Sequence, residues 1–383
     1  MNITNIKLSN QNINLDYPVI RKNNKGWMNW GNDNLFPIHL LEFSNASPLN
    51  SSIIENKVNY ICGSGLEGNT YHGLPNLQDT WEDLLNKIVY DYITFGSFCM
   101  QIIVNLDKTK VSIYHQDVSK VRIGLYDKYN KILSYYISND WSITNGRMQP
   151  VEIKSWGVET PEEGVSYLYY YKDYKPNKDY YITPRWFSAI NYVIADSLLS
   201  TFYKQSINQN FSAGAIISMP NNPSPEDKQT FQEEIEANFA GVENANSILI
   251  IWSEDGQNAP VITPFNSSTN SDLYDSVCDI LQQKIVNSHQ LASPSLSGIP
   301  PRTGGNSFNS QEIITSYIVY SQSVINPLRK KVLNIINTFV QQNGYDRLVI
   351  KELPILEQVE KAASFTQSIS IDKEKKEEEK KDK

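Results

Sequence analysis

Two long helical patterns flank a short α/β segment in the second half of the chain. Apolar residues recur three or four positions apart over about 185–208 and again over about 272–291, which is typical of amphipathic helices. Between them, Ala215–Met219 and Ser247–Trp252 are predicted strands, and Ser224 has the features of a helix N-cap. The sequence therefore predicts a strand-helix-strand insert between two long helices.

The region before the first long helix changes from a helical to a strand period. Pro48–Ile61 is the one helical stretch that stands out in the first 80 residues, and Trp81–Tyr92 continues as an amphipathic helix. The segments that follow are β-branched, aromatic and separated by turn residues. The predicted strands are Cys99–Val104, Val111–His115, Val121–Leu125, Ile132–Ile137 and Ser166–Tyr171.

The second long helix is followed by a stretch that does not favour regular structure. Ser293–Ser307 contains too much Pro, Gly and Ser for a helix or strand, and its length marks it as functional or mobile. A third helix is predicted from Asn309 to about Gln342, and Pro327 should kink it.

The C-terminal region shows two further patterns and a charged tail. Arg347–Lys351 is a predicted short strand, and a helix is predicted near Leu356–Ala363. Every residue of Asp372–Lys383 is charged, so we expect a disordered tail that buries no apolar surface. The element order as a whole predicts a mixed α+β chain.

Composition excludes some classes of protein. The chain has 383 residues and a formal net charge of −8, which argues against a strongly basic surface that binds nucleic acid tightly. Its three scattered cysteines argue against a disulfide framework. The longest apolar stretches fall short of the roughly 18 residues that a membrane span requires. We expect no membrane partner and no secretory signal.

No motif establishes catalysis. Gly63–Gly68 matches a dinucleotide fingerprint letter for letter, but a helical pattern precedes it and no helix follows, so a helix C-cap and turn are favoured. No Walker sequence is present, and the four histidines lie far apart. We therefore predict no enzyme activity, no cofactor and no metal site.

Several segments, taken in order, resemble the portal proteins of tailed bacteriophages. Trp30–Pro37 and Ser47–Leu66 resemble the opening of that family, Ile299-Pro300-Pro301 resembles its tunnel loop, and Asn309–Asn343, with Asn326-Pro327 inside, resembles the long kinked helix that follows. The resemblance covers about residues 25 to 345.

The resemblance implies a portal fold with a strand-rich wing, a two-helix stem, a small α/β clip, a long kinked helix and a short C-terminal region. The implied boundaries are 1–80 for an N-terminal arm and the start of the wing, 81–183 for the wing, 184–210 and 271–292 for the stem helices, 211–270 for the clip, 293–308 for the tunnel loop, 309–343 for the kinked helix, 344–371 for a short crown-like region and 372–383 for the tail.

The resemblance also implies a function and partners. A portal is a homododecameric ring at one capsid vertex of the virion, assembled in the host bacterial cytoplasm, through which double-stranded DNA enters and leaves. It implies contacts with the terminase large subunit, the major capsid protein and head-completion or adaptor proteins. Non-specific contacts with the DNA backbone in the channel are expected from the loop. The candidate loop residues are Ser293, Ser295, Ser297, Arg302, Thr303 and Asn306.

Two other functions remain open on the sequence. A virion adaptor or baseplate component that never contacts DNA would explain the composition and the lack of catalytic motifs, but not the order of elements. A nucleotide-binding enzyme would rest on the Gly63–Gly68 match alone. Ring size and channel width separate the first alternative from a portal, and a nucleotide titration tests the second.

Overall fold

The computed structural model describes most of the chain. The described residues are 2–5, 18–67, 73–106, 108–143, 149–208, 213–219, 224, 226–227, 230, 248–252, 261–265, 271–299 and 310–354. The chain divides into two units, the first made of residues 1–16, 42–50 and 188–285 and the second of residues 17–41, 51–187 and 286–383.

The described part of the chain contains both strands and helices, as the sequence predicts. The strands are β1 (Asn2–Asn5), β2 (Ile20–Lys22), β3 (Met28–Trp30), β4 (Ser97–Val104), β5 (Val111–Gln116), β6 (Val121–Ile123), β7 (Ser134–Ile137), β8 (Val151–Ser155), β9 (Ser166–Lys172), β10 (Ala213–Met219), β11 (Ile248–Trp252) and β12 (Val261–Phe265). The α-helices are α1 (Phe36–Ala46), α2 (Pro48–Cys62), α3 (Trp81–Phe95), α4 (Ile190–Asn208), α5 (Ser271–Ser288), α6 (Ser310–Tyr320) and α7 (Asn326–Gln342).

The second unit is built on a six-stranded sheet in the order β5-β4-β9-β8-β7-β6. Neighbouring strands are antiparallel except for β8 and β9, which are parallel. Helix α3 leads into β4 and buries one apolar face, including Trp81, Leu84 and Ile88. Thr80 and Asp83 form a capping box at its start, and Gly96 ends it in the left-handed conformation. The predicted strand-rich region is confirmed.

One edge of this sheet, strand β5, is covered by the same chain. The Val111 N–H donates to Asn343 Oδ1 at 2.8 Å, and Asn343 Nδ2 donates back to the Val111 carbonyl at 2.9 Å. Further along, the Ile113 N–H donates to the Pro75 carbonyl at 2.7 Å, and Asn76 Nδ2 donates to the Ile113 carbonyl at 2.6 Å. Side-chain amides and a loop thus satisfy backbone groups that an edge strand leaves unpaired.

The opposite edge, strand β6, is covered as well. The Ile123 N–H donates to the Tyr181 hydroxyl at 2.8 Å, and Trp27 forms an antiparallel bridge with Gly124 just beyond the strand. The Tyr181 ring stacks on Trp30 with a centroid distance of 4.3 Å. The segment that contains β2 and β3 is therefore tied to this edge.

The first unit contains a four-stranded sheet in the order β1-β11-β10-β12. Strands β10 and β11 are parallel, and the two outer pairs are antiparallel. Between β10 and β11, Ser224 Oγ accepts the Asp227 N–H at 3.2 Å, and Glu226, Asp227 and Thr230 are helical. The predicted strands at 215–219 and 247–252 and the helix start at Ser224 are confirmed.

The long helices follow the prediction with altered ends. A 3₁₀ turn, Arg185–Ala189, precedes α4. A π turn, Ser321–Ile325, joins α6 to α7 and lies directly before Asn326-Pro327. Because proline has no N–H to donate to the preceding turn, the regular hydrogen-bond ladder is interrupted at this point. The kink at Pro327 itself stays a prediction, and the predicted start at Asn309 lies outside the described residues.

Three expectations about local structure were wrong. A second helix, α1, lies in the first 80 residues beside the predicted Pro48–Ile61 helix. Arg347–Lys351 is not a strand, since only Ile350 forms a β-bridge, with Leu66. Ser293–Ser307 does not begin as irregular chain, because Pro294–Ser297 forms a 3₁₀ turn. The predicted helix near Leu356–Ala363 and the charged tail lie outside the described residues.

Candidate functional site

The described part of the predicted tunnel loop is a capped turn. The Ser293 hydroxyl accepts the Ser295 N–H at 3.3 Å, and Pro294 occupies the first position of the turn, where a missing N–H has little cost. Gly298 closes the turn at φ 73°, a conformation that favours glycine. The N-terminal end of the loop is therefore held in a defined conformation by this turn.

Two side chains of α2 hold this segment through its backbone. Lys57 Nζ donates to the His289 carbonyl at 2.7 Å, and the Tyr60 hydroxyl donates to the Leu296 carbonyl at 2.9 Å. The two anchors are three residues apart and so project from one face of the helix. The carbonyls at 289 and 296 bracket the start of the loop, so α2 sets its position.

The Lys57 anchor borders a small cavity in the second unit. The cavity has a volume of about 20 Å³ and is lined by Lys57, His289, Trp186, Arg185 and Asp173, among others. A cavity of this size has room for a single water molecule. His289 is buried and stacks on Trp186 with a centroid distance of 6.1 Å.

Burial controls the charges around this cavity. Lys57 is 4% exposed, and burial, followed by the charge of Arg185, lowers the pKa of Lys57 from 10.5 to about 7. Burial and the charge of Lys57 also lower the pKa of His289 well below 6.5, so the imidazole is neutral at neutral pH. Lys57 therefore holds the main chain at His289 from a buried position.

Asp173 is the acidic centre of the same region. It accepts hydrogen bonds from Arg185 at 3.0 Å, Lys331 at 2.8 Å, the Tyr92 hydroxyl at 2.8 Å and the Tyr171 hydroxyl at 3.2 Å. Burial by itself raises the pKa of Asp173, but the hydrogen bonds from Lys331, Tyr92 and Arg185 outweigh it and hold the pKa below 3.8. The carboxylate joins α3, β9, the 3₁₀ turn before α4, and α7.

The predicted loop residues divide into two groups. Ser293 and Ser295 are buried, and the Ser297 hydroxyl is buried without a hydrogen-bond partner among the described residues. Of the three, the Ser293 side chain caps the turn. Arg302, Thr303 and Asn306 lie outside the described residues, so contact between this loop and DNA stays a prediction.

The glycine-rich match at Gly63–Gly68 has the geometry of a helix end. The Gly63 N–H donates to the Asn59 carbonyl at 2.9 Å with φ 65°, which confirms the C-cap that the sequence favours. The Ser64 N–H donates to the Lys351 carbonyl at 3.0 Å, and the Leu66 N–H donates to Glu82 Oε1 at 2.8 Å. A dinucleotide cradle needs such N–H groups to point at phosphate, and here they bind the protein's own oxygens.

Sequence reasoning missed the anchors of the site. Lys57 lies between Ile54 and Val58 in the apolar pattern of α2, and a lone lysine inside that pattern is a signal for a buried cation. Asp173 gave no comparable signal, because three of its four partners, Tyr92, Arg185 and Lys331, lie on other elements of the fold. Among the described residues, no three His, Cys, Asp or Glu side chains form a group able to hold a metal ion.

No protein-family model and no curated protein matches the sequence. Solved structures do match. A chain in a structure of the virion of a native gene transfer agent (GTA) particle has a TM-score of 0.55 at 12% identity over 86% of this chain and 88% of that chain. Chains from the neck of the native particle, computed with C12 symmetry, and of the empty particle, computed with C6 symmetry, match over the same shares at 12% identity with TM-scores of 0.54 and 0.55.

The α+β fold is therefore one that occurs in the virion of a phage-like particle. More particularly, it is the fold of a chain in structures of the GTA neck. At 12% identity this is a likeness of fold. Within the described residues, no helix is long and apolar enough to cross a membrane.

Proposed function

We propose that this chain is the subunit of a portal ring, located in the virion at the joint between head and tail. The observation that carries the proposal is the shared fold over 86% of the chain with a component of GTA necks whose structures were computed with C12 and C6 symmetry. Both symmetries suit a ring around a central axis. The proposed ring is a homododecamer.

The exposed surface of the first unit supports assembly into a ring. On α5, Val277 is 36% and Ile280 47% exposed, and on α4, Leu198 is 42% exposed. Val277 and Ile280 are three residues apart and lie on one face of α5. A ring needs head-to-tail contacts between neighbouring copies, and exposed apolar side chains on long helices suit such contacts.

The channel function rests on the same proposal. Double-stranded DNA would pass through the ring during packaging and release, and the net charge of −8 favours weak backbone contacts that let a duplex slide. The proposed partners are the terminase large subunit, the major capsid protein and head-completion or adaptor proteins. The motor, and not this chain, would hydrolyse ATP, so we propose no enzyme activity.

Electron microscopy of the purified protein tests the proposal. We expect end-on views with twelvefold symmetry and a central hole of roughly 20 Å or more, wide enough for a duplex. Rings with a hole too narrow for DNA would favour the adaptor alternative. A failure to form rings at high concentration and with capsid partners would contradict the portal proposal.

A pair of matched variants tests whether the apolar face of α5 forms the contact between copies. V277E combined with I280E should lower the fraction of protein in rings at least tenfold, because it places charges in an apolar interface. L77E is the control, since Leu77 is 94% exposed and lies in the second unit. Equal ring yields from both proteins would show that α5 does not carry the contact.

A further inference from the structure

The buried Lys57 has fewer hydrogen-bond acceptors around it than it has donors. Its ammonium group carries three N–H donors, and among the described residues the one acceptor it reaches is the His289 carbonyl, at 2.7 Å. The centroid of the Tyr320 ring lies 6.0 Å from Nζ, and an aromatic face attracts a cation without replacing a counterion. No carboxylate in the described part of the chain offsets the charge on Lys57. The remaining donors are therefore available to an occupant of the cavity that Lys57 lines.

Arg185 brings a second positive charge to the same cavity. Its guanidinium carries five N–H donors, and among the described residues it gives one of them to Asp173, at 3.0 Å. After burial, the charge of Arg185 is the second cause that lowers the pKa of Lys57, so the two cations repel each other. An anion in the cavity can accept hydrogen bonds from both side chains, and its charge offsets this repulsion.

The other described groups around the cavity do not supply the missing negative charge. The Asp173 carboxylate accepts hydrogen bonds from both Arg185 and Lys331, so two cations already offset its charge. His289 is neutral at neutral pH, because burial and the charge of Lys57 lower its pKa. The Tyr92 hydroxyl donates to Asp173 and is also neutral, because burial raises its pKa. The rest of the lining carries no charge and consists of Ile93, Gly96, Trp186, Ser288 and Leu328.

The volume of the cavity limits what can bind there. At about 20 Å³, it has room for an occupant of the size of one water molecule. Chloride is a single atom of nearly this size, whereas sulfate, phosphate and carboxylates contain several heavy atoms and are too large. A water molecule also fits, but it is neutral and leaves the buried charge of Lys57 without a counterion. Size and charge together favour chloride.

We propose that this cavity binds one chloride ion, which accepts hydrogen bonds from Lys57 and Arg185. The ion binds the protonated form of Lys57, so chloride binding and protonation of Lys57 stabilise each other. A protonated Lys57 also makes a charge-assisted hydrogen bond to the His289 carbonyl, which is stronger than a neutral one. Chloride therefore strengthens the anchor that holds the chain at the end of α5.

Urea unfolding of the full chain in two sodium salts tests this proposal. At about pH 6, where Lys57 is protonated, replacing gluconate by about 200 mM chloride at constant ionic strength should raise the folding equilibrium constant at least threefold, as for one site with a dissociation constant of about 100 mM or tighter. K57M should lose this effect of chloride, and K22M, at an exposed lysine, should keep it. An equal effect of chloride on wild type and K57M would overturn the proposal.

Bromide locates the ion in the wild-type protein, so this second test does not depend on the folding of K57M. In crystals grown with bromide in place of chloride, we expect an anomalous difference peak within hydrogen-bond distance of Lys57 Nζ and the Arg185 guanidinium. A water molecule there without anomalous signal, or bromide at exposed lysines alone, would refute the site. A peak in the cavity without the chloride effect in solution would show an adventitious ion only. Neither test uses ring formation, so both are independent of the portal proposal.

Discussion

Arg122 illustrates how a single residue holds the second unit together. Its side chain is fully buried and donates to Asn34 Oδ1 at 2.7 Å, the Asn34 carbonyl at 2.6 Å, and the carbonyls of Ser119 and Val121 at 2.9 and 2.8 Å. Its guanidinium lies 4.7 Å from the centroid of the Trp141 ring. Burial lowers its pKa to about 10, so it remains charged at neutral pH.

Replacing Arg122 should destabilise the protein strongly. R122M leaves carbonyl oxygens buried without donors, and we expect a loss of about 3 kcal/mol or more in the free energy of unfolding. R122K keeps the charge and some of the donors, so its loss should be smaller than that of R122M. A loss should remain, because lysine cannot reproduce the planar fork of donors. Urea unfolding measures both. A loss below about 1 kcal/mol for R122M would contradict this role for the buried guanidinium.

At the scale of the elements, the junction after α2 depends on close backbone approach. Gly63 ends α2 in the left-handed conformation, and a Cβ added there would lie 2.3 Å from the Lys351 carbonyl oxygen. Lys351 in turn donates its N–H to the Gly65 carbonyl at 2.9 Å. The end of α2 and the segment after α7 are therefore bound to each other through main-chain groups.

This geometry predicts different costs for alanine at two glycines. G157A should cost about 1 to 2 kcal/mol, because Gly157 has φ 83° but no atom within 4 Å of an added Cβ. G63A has a similar backbone strain and adds the clash with Lys351, so it should cost measurably more. Thermal and urea unfolding of both variants provide the comparison, and equal losses would exclude a close contact at Gly63.

At the scale of the whole molecule, stability should increase with pH through the neutral range. Lys57 has a folded pKa of about 7 against 10.5 for the free group, so between these values the unfolded chain binds more protons and rising pH favours folding. His289 acts in the same direction on the acid side, because its folded pKa is lowered below 6.5. Protonation of either side chain therefore destabilises the folded state.

The Lys57 contribution can be isolated with K57M. Wild type should gain up to about 1.4 kcal/mol per pH unit relative to K57M between about pH 7 and 9, since one proton is linked to unfolding. Urea unfolding at several pH values measures this difference. K22M, at an exposed lysine, serves as the control and should follow the wild-type curve. Parallel curves for wild type and K57M would show that Lys57 is not the linked group.

Periodicity predicted much of the fold because local patterns determine single elements. The α3 helix and the β4 and β5 strands follow directly from the spacing of buried residues such as Leu84 and Ile102. The α1 helix was missed because Pro37 and the polar residues around it obscure a short apolar pattern. Leu348 and Ile350 alternate as in a strand and are buried, yet pairing needs a partner that local sequence does not specify.

The candidate site was less accessible to sequence reasoning. The loop that follows α5 was recognisable from its Pro and Gly content, but its capped start depends on Ser293 and Gly298 in a particular turn. The anchors on α2 bind carbonyl groups at 289 and 296, which every residue type carries. The residue types at 289 and 296 therefore do not show that their carbonyl groups accept these hydrogen bonds.

The covered edges of the six-stranded sheet have a consequence for how copies of this protein behave at high concentration. An exposed edge strand invites further strands and leads to irreversible aggregation. Here Asn343 and Tyr181 occupy backbone groups at the two edges within the same chain. We therefore expect that an encounter between two copies does not extend these sheets and so stays reversible.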